Sequence, residues 1–87
     1  YIQADLTWPE ARAEVAAHFD HLDVLVNNAG RGSAREYEQE EFEHVIDTNL
    51  NAVMDLSVRL HPLLKETKGS IVNVGSLASF LALKETP

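Results

Sequence analysis

Eighty-seven residues, 45% of them hydrophobic, fall within the size of one small domain and hold enough apolar content for a core. The lack of Cys excludes disulfide staples, thiolate nucleophiles and Cys-based metal sites, and it fits a cytoplasmic location. A formal net charge of -7 argues against nucleic acid or an anionic membrane surface as the main partner, and no apolar run approaches the roughly 20 residues of a membrane span.

In chain order, residues 1–4 read as a strand that gives way to the polar residues Asp5 and Thr7. Either of these two is placed to cap a helix opening near Pro9, because proline suits a first helical turn. Ala11, Val15, Ala16 and Phe19 recur at helical spacing and carry that helix to about His18 or Phe19. Residues 23–27 form a second expected strand, in which Val24-Leu25-Val26 switches abruptly into Asn27-Asn28-Ala29-Gly30. Small residues at the end of a buried strand let a ligand approach the backbone. A loop containing Gly30, Gly32 and Ser33 follows.

Polar and acidic residues from Glu36 to Glu43 lead into the main helix, expected over 40–65, where they favour the positive end of its dipole. Phe42, Val45, Ile46, Asn49, Leu50, Val53, Ser57 and Leu60 make one nearly continuous face, and Met54 and Val58 suggest a second apolar edge. Pro62 is expected to bend or end this helix near its last turn. Lys68-Gly69 reads as a turn and residues 70–74 as a third strand. Three strands alternating with two helices predict parallel strands with right-handed crossovers, the doubly wound α/β class, in a single unit without internal repeats or linkers.

Several residues can carry chemistry. Asp5 closes the first strand, either as a helix cap or as an acceptor for an amino donor, since a carboxylate only accepts. Asn27 suits the stitching of neighbouring strands, because a buried amide must satisfy two donors and an acceptor. Asn49 falls on the apolar face of the long helix, an expensive place for an amide without partners. Ser76 emerges at the carboxyl end of a strand, where ligands of open α/β sheets bind, and its hydroxyl can donate to an oxygen on which charge develops. A hydrolase nucleophile is excluded, because Gly75-Ser76-Leu77-Ala78 lacks the second glycine of a nucleophile elbow. His18, His21, His44 and His61 are scattered without metal-like spacing, so no metal site is expected.

Leu22-Asp23-Val24-Leu25-Val26-Asn27-Asn28-Ala29-Gly30, Asp47-Thr48-Asn49 and Gly69-Ser70-Ile71-Val72-Asn73-Val74-Gly75-Ser76 stand in one order along the chain. Together they resemble the signature of the short-chain dehydrogenase/reductase family. The resemblance implies a Rossmann-like fold and an NAD- or NADP-dependent oxidoreductase that moves a hydride between nicotinamide and a carbonyl or secondary alcohol. It implies that Asp5 accepts from the adenine amino group while Leu6 contributes backbone. Asn27 and Asn28 would share the holding of the sheet and contact with the cofactor ribose, with Ala29 and Gly30 giving clearance. A local helix irregularity at Asn49 would expose a carbonyl to a proton-relay water, and Ser76 would polarise the substrate oxygen. Ser79 and Phe80 would border the substrate. Association through the helix carrying Asn49 would give a homodimer or homotetramer.

The family's acid/base Tyr, with its Lys four residues later, is expected just beyond Pro87, and its glycine-rich phosphate turn upstream of Tyr1. Residues 1–87 thus read as the middle part of one dinucleotide-binding domain. In the strand order 3-2-1-4-5-6, residues 1–5 would be the third strand, 23–27 the fourth and 70–74 the fifth, of which the last two pair. Alone, such a piece is expected to have open strand edges and to be poorly stable or aggregation-prone. A non-catalytic dinucleotide-binding sensor and a same-superfamily epimerase or dehydratase are the rival readings.

Overall fold

The computed structural model describes residues 1–81 and 84, and its order is helix, strand, long helix, strand. Strands β1 (Val24–Asn27) and β2 (Ser70–Asn73) pair in parallel, with Val24 opposite Ser70 and Asn27 opposite Asn73. Parallel neighbours need a long crossover, and here it is the long helix, which packs on both strands. The α/β class with a parallel sheet is therefore the observed one.

The first expected strand does not form: residues 1–5 have no regular structure, so the sheet has two strands among the described residues rather than three. A strand exists through its ladder, and residues 1–4 pair with neither β1 nor β2. The strand order expected above gives the same reason, since it seats third and fourth strands apart.

Helix α1 (Pro9–Ala17) opens with Pro in its first turn. Its N-cap is Trp8, which makes no side-chain capping bond, so neither Asp5 nor Thr7 caps it. Asp5 instead closes a tight turn, accepting at Oδ1 from the Thr7 amide (3.0 Å) and the Thr7 hydroxyl (2.7 Å).

Helix α2 (Gln39–Ile46), a π turn (Asp47–Asn51) and helix α3 (Ala52–Thr67) form one rod, because Ile46, Asp47 and Ala52 at the joints all keep right-handed helical angles. Pro62 does not end it, and α3 continues to Thr67. The carbonyl that Pro62 leaves without a donor belongs to Val58, on an exposed flank where water can take the bond. Among the described residues the buried apolar ones are Val45, Ala52, Leu56, Leu60 and Leu64, all on this rod. That stripe differs from the expected face: Phe42, Asn49 and Leu50 are exposed. The sheet and α1 both pack against α3 and bury its Ala52–Leu64 flank, while Asn49 and Val53 border an open cleft.

At the end of α3, Lys68 takes the left-handed conformation (φ 53°) that glycine commonly supplies. Gly69 is needed next to it for a different reason. A Cβ at Gly69 would run into the carbonyl oxygen of Asp23, which accepts from the Ser70 amide at 3.0 Å to start the strand pair.

Candidate functional site

The strands end level, and their last residues build the floor of the site. Asn27 is buried, and its Nδ2 donates to Asn73 Oδ1 (2.8 Å) and Ser57 Oγ (3.3 Å). Ser57 in turn donates to the Val53 carbonyl at 2.7 Å, and the Val74 amide donates to the Asn27 carbonyl at 3.0 Å. One amide therefore joins both strands to the long helix. Asn73 and Ser57 escaped the sequence reading as site residues. Asn73 had a usable signal, because like Asn27 it breaks an apolar run at a strand end.

Beyond this floor opens a cleft of about 500 Å³. Asn27, Asn28, Ala29 and Gly30 line one wall, Asn49 the helix side, and Ser76 the wall opposite. Six of the eight residues singled out in the sequence thus meet at one place. Leu6 lies apart, against a small cavity of about 60 Å³ that it shares with Asn28, Ala29 and Thr48. Asp5 lines neither cavity. Of the two residues expected at a substrate border, Ser79 lines the cleft and Phe80 does not.

Asn49 sits in the π turn, where the Ala52 amide donates to the Asp47 carbonyl over a five-residue step. Its side chain is exposed rather than buried, yet it is held by two bonds to one residue: the Arg31 amide donates to Oδ1 and Nδ2 donates to the Arg31 carbonyl, each at 2.8 Å. The loop after β1 is thereby clamped to the helix at the rim. A Cβ at Gly30 would lie 3.4 Å from Asn49 Oδ1, in ordinary contact with the clamp. The far side of the loop is charged. The Ser33 hydroxyl, and then Arg35 and Arg31, hold the Glu41 carboxyl below its ordinary range.

Ser76 Oγ accepts from the Ala78 amide at 3.1 Å and caps a short 3-10 turn, Leu77–Ser79. A hydroxyl that accepts still has its own proton to donate. A Cβ at Gly75 would meet nothing within 4 Å, so that backbone faces open space. The Asp5 carboxyl is held below its ordinary range by the Thr7 hydroxyl and the Thr7 amide. Among the described residues no helix is long and apolar enough to cross a membrane.

The chain matches the short chain dehydrogenase family over residues 1–87. It is 39% identical over 83 residues to the 2-dehydro-3-deoxy-D-gluconate 5-dehydrogenase of Bacillus subtilis, covering 87% of this chain and 33% of that protein. It is 38% identical over 68 residues to a Staphylococcus aureus 3-oxoacyl acyl-carrier-protein reductase, covering 74% of this chain and 28% of that one. Among solved structures, an apo SCOR enzyme from Clostridium thermocellum superposes with a TM-score of 0.87 at 30% identity, over 95% of this chain and 37% of the other. A metagenomic short-chain oxidoreductase in complex with NADP gives a TM-score of 0.81 at 30% identity, over 97% and 42%. The chain spans about a third of the length of the curated relatives it matches.

Proposed function

The chain belongs to the short chain dehydrogenase family, and from that premise we propose that it forms the middle part of the dinucleotide-binding domain of an NAD- or NADP-dependent oxidoreductase. The observation that carries this reading is the single cleft in which Asn27–Gly30, Asn49 and Ser76 meet at the carboxyl ends of two parallel strands. Solved relatives in complex with NADP and NADPH support the cofactor class.

The residues fit such a ligand. Gly75 presents open backbone to the cleft, Ala29 and Gly30 keep its other wall low, and Asp5 is an acceptor whose Oδ2 takes no part in the Thr7 bonds. A bound nicotinamide cofactor would supply hydride exchange with the carbon of a carbonyl or secondary alcohol. Asp5 and the Leu6 backbone hold the adenine, Asn28, Ala29 and Gly30 border the ribose, and Asn27 holds the floor under both strands. Ser76 donates a hydrogen bond from its hydroxyl to the substrate oxygen, keeping its proton, and so stabilises the charge that develops there. The π turn at Asn49 supports a water-holding role for that segment, because the longer hydrogen-bonded step disturbs the helical ladder where the cleft begins.

Substrates at the level of carbonyl or secondary alcohol suit the named dehydrogenase and reductase relatives alike. Exposed Leu50, Met54 and Val58 on the long helix support association of this chain with copies of itself as a dimer or tetramer. The Cys-free composition supports a cytoplasmic setting.

The test is Ser76→Ala in the complete polypeptide. Turnover should fall about 100-fold or more while cofactor affinity stays within a few-fold, as for loss of one donor to a developing oxyanion. Equal losses in cofactor binding and turnover would remove Ser76 from the reacting centre.

A further inference from the structure

Arg12 is buried, with 7% of its surface exposed, although nothing in the sequence marks it as a site residue. Its guanidinium spans two acceptors: Nε donates to Asp55 Oδ2 on α3 at 2.6 Å, and Nη1 donates to the Leu6 carbonyl at 2.8 Å. The Leu6 carbonyl belongs to the turn that carries Asp5. That turn is bonded at each step, by Thr7 to Asp5 Oδ1, by the Trp8 amide to the Asp5 carbonyl (3.2 Å) and by Arg12 to the Leu6 carbonyl. Leu6 also borders the small cavity with Asn28 and Ala29, so the turn sits beside the segment read as touching the ribose. A buried guanidinium carries a desolvation cost that an apolar residue filling the same gap between helices would not. Holding a backbone carbonyl at a set distance from α3 is what the apolar residue could not do, and the rigid fork of arginine suits it.

We propose that Arg12 is a positioning residue for cofactor recognition: by joining the Leu6 carbonyl to Asp55 it fixes the Asp5–Leu6 turn at the height where Asp5 reads the adenine amino group. This rests on the dinucleotide reading above. Arg59, which donates to the other oxygen of Asp55 at 2.9 Å and does not touch the turn, serves as the control.

The experiment measures, on the complete polypeptide, dissociation constants for NADH or NADPH and for the hypoxanthine counterpart by nicotinamide fluorescence. Hypoxanthine replaces the amino donor with an oxygen and adds a proton at N1, so the ratio of the two constants reports on the Asp5–Leu6 turn, and its change in Asp5→Ala isolates the part that Asp5 carries. The wild-type ratio is expected to be about tenfold or more, and Asp5→Ala should lower it by at least about fivefold, the share of one charge-assisted hydrogen bond. Arg12→Met should lower the ratio at least about threefold, a substantial part of that bond, while Arg59→Met keeps the wild-type value. Arg12→Lys keeps a cation beside Asp55 but not the fork, and it carries the test if Arg12→Met fails to fold. A lower melting temperature in both Arg12 variants with an unchanged ratio would overturn the positioning role and leave the dinucleotide reading standing. An unchanged ratio in Asp5→Ala would overturn the adenine reading and the proposal with it.

Discussion

Asn27 uses its side-chain nitrogen twice, toward Asn73 and toward Ser57, so truncating it leaves two polar groups short of a partner as well as a gap. Asn27 is buried while Asn73 is exposed and Ser57 half-buried, so water can take up the freed groups and Asn27→Ala should destabilise the complete polypeptide by about 1 kcal/mol for the lost bonds. Denaturant unfolding of the single and double variants with Asn73→Ala checks this. Coupling of about 0.5 kcal/mol or more is expected for groups in direct contact, and strictly additive losses would show that the amide pair contributes nothing. At this scale the sequence was legible where residue type and position agreed. A strand-end Asn before Ala and Gly announced a crevice, and a Ser at the end of another strand announced its opposite wall. Arg12 was not legible, because its partners are 6 and 43 positions away and no local pattern brings them together.

Helices α1 and α3 are joined by a charged cluster rather than by apolar packing alone. Burial raises the Asp55 carboxyl, and the hydrogen bonds from Arg12 and Arg59 lower it by more, so its folded value lies below the ordinary one. A group depressed in the folded state adds stability above its unfolded value of about 3.9 and loses it as pH falls through the lower folded value. Asp55→Asn should therefore cost about 1–2 kcal/mol near neutrality and flatten the decline of the melting temperature below about pH 4. An acid limb unchanged by the substitution would place the linkage elsewhere. Element types and order were legible from periodicity, but the face of the long helix was not. A regular period implies a straight continuation, whereas α1 and the sheet select the Ala52–Leu64 flank and the π turn carries Asn49 out to the rim. The expected strand at residues 1–4 failed because composition indicates that a segment can pair, not that an edge is within reach.

The whole molecule is open on its sheet side. Val24, Val26, Ile71 and Val72 are all exposed, and the radius of gyration is 14.5 Å against about 12 Å for a compact domain of this length. A core drawn from one helix cannot offset the ordering of the strands for long. The 87-residue chain by itself is therefore expected to melt without cooperativity or to self-associate at micromolar concentration, read by circular dichroism and sedimentation. A monomer with a sharp thermal transition would contradict this.

The pairing of Asn27 with Asn73 is a counted quantity, not a measured one. Strands slide past each other only in whole residues, and a slip of one turns every side chain of the strand to its opposite face. The alignment of the two walls is thus stored as an integer. Away from Asn49 and Ser57, the crossover between the strands can change its sequence and its surface charge without blurring the site, as long as the count is kept.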